Sequence, residues 1–274
     1  MITQTALLSS RSVLRLGGGD ARSWLQSLVT NEIGNLKSGE GKFAALLSPQ
    51  GKILFDFFVV TDGDALLIDC AADQATSLLK RLVMYKLRAD IALSDASSGL
   101  MAAAAWGDAP PPVSRAIIYR DPRLDALGWR LIGEAQEFDL IGIEGGREDA
   151  YHAHRIACGI PQGGLDFAYG DAFPHDANMD LLNGVDFKKG CYIGQEVVSR
   201  VHHRGTARKR IVKVRFDGTA PAIRSPISGG EIVIGEMGSS AGGHGLAMLR
   251  TDRADEFRAS GIKLYAGSAE IVMD

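Results

Sequence analysis

The sequence predicts an α+β chain that ends in an all-β domain, on three observations. Two β-rich runs, residues 53–60 and 65–70, flank the tripeptide Asp62-Gly63-Asp64, and a helical stripe follows them. A Gly159-Ile160-Pro161 stop leads into residues 162–189, a stretch rich in Gly, Asp, Asn and Pro. Beyond Arg210 apolar and polar residues alternate, with the pairs Gly229-Gly230 and Gly242-Gly243 as punctuation.

The first helical spacing lies at 21–33, where Trp24, Leu25, Leu28 and Val29 recur behind Asp20 as N-cap. Gly17-Gly18-Gly19 just before it lacks the spacing of either phosphate-binding glycine motif and reads as a turn. The runs 53–60 and 65–70 are strands, and the Asp-Gly dipeptide between them suits a tight hairpin. Asp73 caps the next helix, in which Leu78, Leu79, Leu82, Val83 and Leu87 form one apolar stripe, and 91–93 is a following strand. Further strands fall at 100–106, 116–119 and 129–132, with Pro110-Pro111-Pro112 looping between the first two. A helix covers 148–158 and stops where Gly159 supplies a C-cap and Pro161 forbids continuation. Residues 162–189 are too many for a bare connector in a compact protein, so this stretch is a candidate carrier of function. Strands at 211–216, 231–234, 246–249 and 262–265 complete the C-terminal β domain.

With 274 residues, 46% apolar and 23% charged, and a mean hydropathy of +0.01, the chain can bury a real core and is unlike a disordered or fibrous protein. Its longest nearly apolar runs, 53–60 and 100–106, fall far short of the ~20 residues that span a bilayer, so no membrane partner is expected. The net charge of -3 means that any affinity for nucleic acid must come from a local patch. Three cysteines, Cys70, Cys158 and Cys191, with no C-x-x-C pair fit a reducing compartment. Residues 1–10 lack the basic-then-apolar order of a secretory signal, and a cytoplasmic chain is expected.

The most unusual segment runs from Lys188 to Arg210, with seven Lys or Arg against one acid, Glu196. Gly190 and Gly194 let the backbone turn tightly around Cys191, and adjacent lysines would favour the thiolate if the sulfur is exposed. Cys191 thus reads as a nucleophile, a redox-sensitive thiol or a metal or cluster ligand; the plainer reading is a small buried hydrophobe. His152 and His154 point to different helix faces and His202-His203 are adjacent, so the histidines give no zinc spacing. His244, in a glycine-rich turn region, reads as a surface residue.

Lys189-Gly190-Cys191-Tyr192-Ile193-Gly194-Gln195-Glu196 matches the signature K-G-C-[YF]-x-G-Q-E, and supporting pieces occur in order. They are Trp24-Leu25-Gln26 with Thr30-Asn31, Ser48-Pro49-Gln50-Gly51-Lys52, residues 155–161, and Phe173-Pro174-His175-Asp176. On these residues the chain resembles the YgfZ-like folate-binding proteins, relatives of the glycine cleavage T-protein that include a mitochondrial iron-sulfur assembly factor. The resemblance implies a three-part ring-like fold around a central hole that binds tetrahydrofolate or a one-carbon derivative. Residues 1–50 and 134–205 would be a split N-terminal folate-binding domain, 51–133 an inserted ferredoxin-like α+β domain and 206–274 a C-terminal β-barrel. Asn31, Asp56, His152, Arg155 and Asp176 would face the folate, Lys189, Tyr192 and Gln195 would help to hold it, and Cys191 would lie at its rim as the functional thiol.

The chain departs from the T-protein at three places. The paired aspartates on the strand after the glycine read Phe55-Asp56, the glutamate of R-[LI]-E-x-G is Ala157, and the glutamate of P-x-E is Asp176, one methylene shorter. The implied function is therefore a tetrahydrofolate-binding protein that supports assembly or repair of iron-sulfur clusters, with indirect effects on tRNA modification, rather than a classical enzyme. Its partners would be folate and iron-sulfur client or assembly proteins. The alternatives are an aminomethyltransferase of T-protein type and an RNA-associated protein using the 188–210 basic stretch, where Tyr192 alone supplies an aromatic and direct nucleic-acid binding is not expected.

Overall fold

A computed structural model describes residues 3–112, 114–140, 148–205 and 207–274. In chain order the strands are β1 (Gln4–Leu7), β2 (Arg11–Gly17), β3 (Gly41–Leu47), β4 (Ile53–Asp62), β5 (Ala65–Ala71), β6 (Ala92–Asp95), β7 (Met101–Trp106), β8 (Ile117–Arg120), β9 (Trp129–Gly133), β10 (Lys209–Arg215), β11 (Pro226–Gly229), β12 (Ile232–Ala241), β13 (His244–Arg250), β14 (Leu264–Ala266) and β15 (Ala269–Met273). The helices are α1 (Ala21–Gln26), α2 (Ala75–Tyr85), α3 (Ala135–Leu140), α4 (Glu148–Ala157), α5 (Gln195–Arg204) and α6 (Thr251–Ala259).

The Asp-Gly hairpin sets the first sheet. Asp62 pairs with Ala65, so only Gly63 and Asp64 turn, and Gly63 takes the φ of +59° that such a turn demands. Antiparallel pairing then gives the order β3-β4-β5-β2-β6. Period-two alternation splits β4: Phe55, Phe57 and Val59 pack with Leu25, Leu78 and Leu82 beneath α1 and α2, whereas Phe58 and Val60 face a second core. By the same parity Arg11, Asp56 and Asp69 share that second face. A four-stranded sheet, β1-β7-β9-β8, lies beyond it, and Arg130 of β9 reaches across to Asp69 of β5. The third sheet closes on itself as a barrel, β10-β13-β12-β11-β14-β15, with Val214, Met237, Ala247, Leu249 and Ile271 inside. No described helix is long and apolar enough to cross a membrane.

Five expectations change. The helix foreseen over 21–33 stops at Gln26, because residues 29–30 are drawn into a bridge with β3: Val29 pairs with Leu46, and Thr30 Oγ1 accepts from Ala45 N–H at 2.9 Å and donates to Gly184 O at 2.6 Å. Asp20 does not cap that helix; its carboxylate accepts from Asp90 N–H at 2.8 Å, and Gly18, at φ +105°, leaves the space where a Cβ would collide with the Asp90 carbonyl. Asp73 sits in a short 3-10 turn ahead of α2 and makes no cap bond, and the foreseen stripe is only partly buried, since Val83 and Leu87 are exposed. The boundary drawn at 50/51 separates β3 from β4, which pair from Gly41 with Val60 to Leu47 with Ile53, so both sides belong to one sheet. The C-terminal domain holds α6 in addition to its strands; with only Ala254 and Phe257 buried, that helix has too thin an apolar face to show as periodicity. The foreseen range 134–205 includes 141–147, which lie outside the described residues.

Residues 162–189 form no helix or strand, yet they are not a surface excursion. Phe167, Ala172, Ala177, Met179 and Val185 are buried in the second core, so the segment forms a wall between the first sheet and the barrel.

Candidate functional site

The Cys191 loop is held at both ends. Lys189 turns inward and its ammonium donates to Gln26 O at 2.7 Å, Val29 O at 2.6 Å and Asn31 O at 3.0 Å, the carbonyls left free where α1 stops. Burial pushes this ammonium down to about 8. At the other end Gly194 takes φ +81° and passes so close to the turn after β3 that a Cβ would lie 2.6 Å from Ser48 O. Gln195 Oε1 accepts from Tyr192 N–H at 3.2 Å, and burial raises the Tyr192 phenol to about 12. Ile193 packs on the core beneath α1 and α2.

Between these anchors Cys191 is exposed, which corrects the reading of a buried small hydrophobe. The loop is pinned through Lys189, Ile193 and Gly194, and the thiol is presented to solvent. Of the two lysines before it, Lys188 is exposed and Lys189 directs its ammonium at carbonyls.

Asp56, His152 and Arg155 meet at the centre of the molecule. There they line a cleft of about 20 Å³ with Arg11, Arg123 and Arg130. The centre is filled by a charge ladder: Arg11 to Asp69 at 2.6 Å, Asp69 to Arg130 at 2.5 Å, Arg130 to Asp121 at 3.8 Å, and Asp121 to Arg123 at 2.7 Å. Burial alone would raise the Asp69 and Asp121 carboxyls, but the arginines beside them hold both below the usual range. Asp56 Oδ1 accepts from the Tyr169 hydroxyl at 2.5 Å.

Arg155, 1% exposed, donates to Asp166 at 2.9 Å, Ile160 O at 3.0 Å, Ser239 Oγ at 3.0 Å and His152 Nδ1 at 3.1 Å. Burial and the neighbouring Arg155 lower the His152 pKa. Asn31 lies elsewhere, buried, with its amide donating to Phe43 O at 2.8 Å and Asn183 O at 2.6 Å. Each of these groups is satisfied by its own chain. Among the described residues the space left between Asp56, His152 and Arg155 is about 20 Å³.

Asp176 is on a different cavity. About 530 Å³ opens between the 167–176 wall and the barrel, lined by Phe167, Asp171, Asp176, Lys209, Glu236 and Arg250 among others. Asp176 Oδ2 accepts from Phe173 N–H at 2.9 Å. Burial raises its carboxyl, an effect that this bond and Lys52 and Lys209 only partly offset. The cavity combines a half-buried acid and apolar walls with a rim of mixed charge, on which Arg224 pairs with Glu236, Arg250 pairs with Asp252, and Lys209 forms no salt bridge among the described residues. Sequence reasoning missed Tyr169 and Arg250, which stand in no motif, and it saw Lys209 only as one cation of the 188–210 stretch; the fold brings them to these clefts.

The seven cations of 188–210 do not make one basic face. Lys189 is turned inward, Arg200 pairs with Glu196 at 3.2 Å and Arg210 with Asp180 at 2.5 Å, which leaves Lys188, Arg204, Arg208 and Lys209 at the surface. Among the described residues no group of three His, Cys, Asp or Glu is placed to hold a metal ion.

Residues 208–273 match the family described as the CAF17 C-terminal beta-barrel domain. The fold is that of the glycine cleavage T-protein: the aminomethyltransferase T of the glycine cleavage system from Bartonella henselae superposes with a TM-score of 0.77 at 15% identity, over 99% of this chain and 84% of that one. The mitochondrial iron-sulfur cluster assembly factor IBA57 of Mus musculus is 34% identical, over 89% of this chain and 77% of its own length. That of Homo sapiens is 32% identical over 90% and 77%. The Neurospora crassa homologue is 33% identical over 79% of this chain, which spans 55% of that longer protein. These relatives are mitochondrial, which overturns the cytoplasmic compartment expected from the sequence. With identity above 30% over most of both chains, this protein belongs to the IBA57 family of iron-sulfur cluster assembly factors.

Proposed function

We propose that the chain serves iron-sulfur cluster assembly through the Cys191 thiol, with tetrahydrofolate held in the cavity beside Asp176. The observation that carries this reading is the exposed cysteine on a loop pinned at Lys189 and Gly194, in a chain whose relatives are cluster assembly factors. Such a loop lets a thiol contact a cluster or a partner protein without disturbing the core. Asp176 would accept from the amino-pyrimidinone edge of the folate, and Lys209 would meet a glutamate carboxylate. Tetrahydrofolate, when bound, supplies a carrier for one-carbon units. Effects on tRNA modification would be indirect, through enzymes that depend on clusters.

Aminomethyl transfer is not favoured. Phe55 replaces one acid of the T-protein's pair, and the remaining Asp56 is engaged by Tyr169. The folate part is tested by anaerobic calorimetric titration with tetrahydrofolate. Saturable binding, weakened at least tenfold in Asp176→Ala and unchanged in Cys191→Ser, is the expected result. Equal affinity in wild type and Asp176→Ala would remove the ligand from this cavity.

A further inference from the structure

The C-terminal end of α2 carries Leu87, the most exposed large apolar side chain among the described residues. Leu78 and Leu82 are buried beneath it, but Val83, Met84 and Leu87 are 51%, 69% and 90% exposed. Three apolar side chains crowd one turn, and Leu87 holds φ +45°, a left-handed conformation that leucine rarely adopts. Lys80, Lys86 and Arg88 surround them at the surface, with Arg81 half-buried alongside, and residues 74–89 contain no acid. None of the four cations forms a salt bridge among the described residues. Cations near a helix C-terminus complement its dipole, which accounts for Lys86 and Arg88 but not for the bare leucine, methionine and valine.

This patch is coupled to the Cys191 loop through α1. Trp24 of α1 donates from Nε1 to Tyr85 O at 3.1 Å and so holds the last residue of α2. The end of the same short helix supplies Gln26 O, which accepts from Lys189 at 2.7 Å, two residues before the thiol. Ile193 and Tyr85 lean on one core.

We propose that Val83, Met84 and Leu87, ringed by Lys80, Lys86 and Arg88, form the docking surface for an acidic, cluster-carrying protein that meets Cys191. The proposal rests on the cluster-assembly reading and names its partner by chemistry. An apolar centre with an unneutralised cationic rim complements a surface with an apolar centre and an acidic rim. Such a partner is favoured over an anionic membrane because the chain as a whole carries a net charge of -3, and a three-residue apolar tip is too small to anchor it in lipid.

The test uses an acidic [2Fe-2S] ferredoxin as probe, titrated into the full chain at low salt and at about 0.3 M salt, where the Debye length falls to roughly 6 Å. The expected result is saturable binding that weakens with salt, falls at least tenfold in Met84→Glu/Leu87→Glu and in Lys80→Glu/Lys86→Glu/Arg88→Glu, and persists in Cys191→Ser. Both patch variants keep wild-type tetrahydrofolate affinity and circular dichroism, which excludes a folding defect. Absence of ferredoxin binding, equal affinity in the patch variants, or loss in those variants of binding to phosphatidylglycerol vesicles instead, would overturn it. Failure of the cluster-assembly reading is separate: it is read from Cys191→Ser in cells, which the docking affinity does not report.

Discussion

Lys189 Nζ donates to Val29 O at 2.6 Å, across 160 residues of chain, and this bond joins the cysteine loop to the place where α1 ends. The ammonium also serves Gln26 O and Asn31 O, so one side chain satisfies three carbonyls that no helix turn covers. Lys189→Met leaves those carbonyls without their donor and is expected to cost about 1–3 kcal/mol in urea denaturation. The pH dependence has a definite sign. With a folded pKa of about 8 against an ordinary 10.5, the unfolded chain binds the proton more tightly between those values. Wild-type stability should therefore gain on that of Lys189→Met as pH rises from 8 toward 10.5, and the two should run parallel below that window.

Arg155 is a clamp. It joins α4 to Asp166 and to Ser239 of the barrel, and the Asp166 carboxylate accepts in addition from Gln162 N–H at 2.8 Å and Ser239 N–H at 2.7 Å. Arg155→Met strands a buried carboxylate and is expected to cost about 3–5 kcal/mol, read as a lowered denaturation midpoint. A change under about 1 kcal/mol would mean that the centre is open to water.

Asp56 at the centre and Asp176 beside the barrel should separate in a folate titration. Tyr169→Phe removes the donor to Asp56, 8% exposed, and is expected to cost about 1–3 kcal/mol of stability while leaving tetrahydrofolate affinity unchanged. Asp176→Ala should do the reverse, weakening the ligand with little effect on the fold. A Tyr169→Phe variant that bound folate more tightly would shift the site to the centre.

Leu87 offers a test by gain. Glycine adopts φ +45° without the Cβ penalty, so Leu87→Gly is expected to raise stability by about 0.5–1 kcal/mol in the same denaturation assay.

What the sequence revealed and what it hid divide by distance along the chain. The β4–β5 hairpin was legible because its turn and its alternation lie within twenty residues, and the stop at Gly159 because the glycine, at φ +77°, sits directly after its helix. The Cys191 motif was legible as residue types, but its exposure depends on Lys189 reaching carbonyls near 26–31. The central ladder could not be read at all: Arg11 and Arg130 are 58 and 61 residues from the Asp69 they share. The residues expected to line a folate hole likewise meet partners far along the chain: Asp56 accepts from Tyr169, Arg155 donates to Ser239, and Asn31 donates to the Asn183 carbonyl. Leu87 misled because helical spacing places it in the apolar stripe, whereas the backbone leaves the helix at Tyr85 and turns it outward.

The central claim is that the Cys191 thiol works in cluster assembly, and its most direct test is complementation. In cells lacking their own copy, the activity of a cluster-dependent radical enzyme would be measured with wild type, Cys191→Ser and Lys189→Met expressed to equal levels. The account predicts that wild type restores activity, that Cys191→Ser fails although folded and tetrahydrofolate-binding, and that Lys189→Met restores it in part. Full restoration by Cys191→Ser would contradict it.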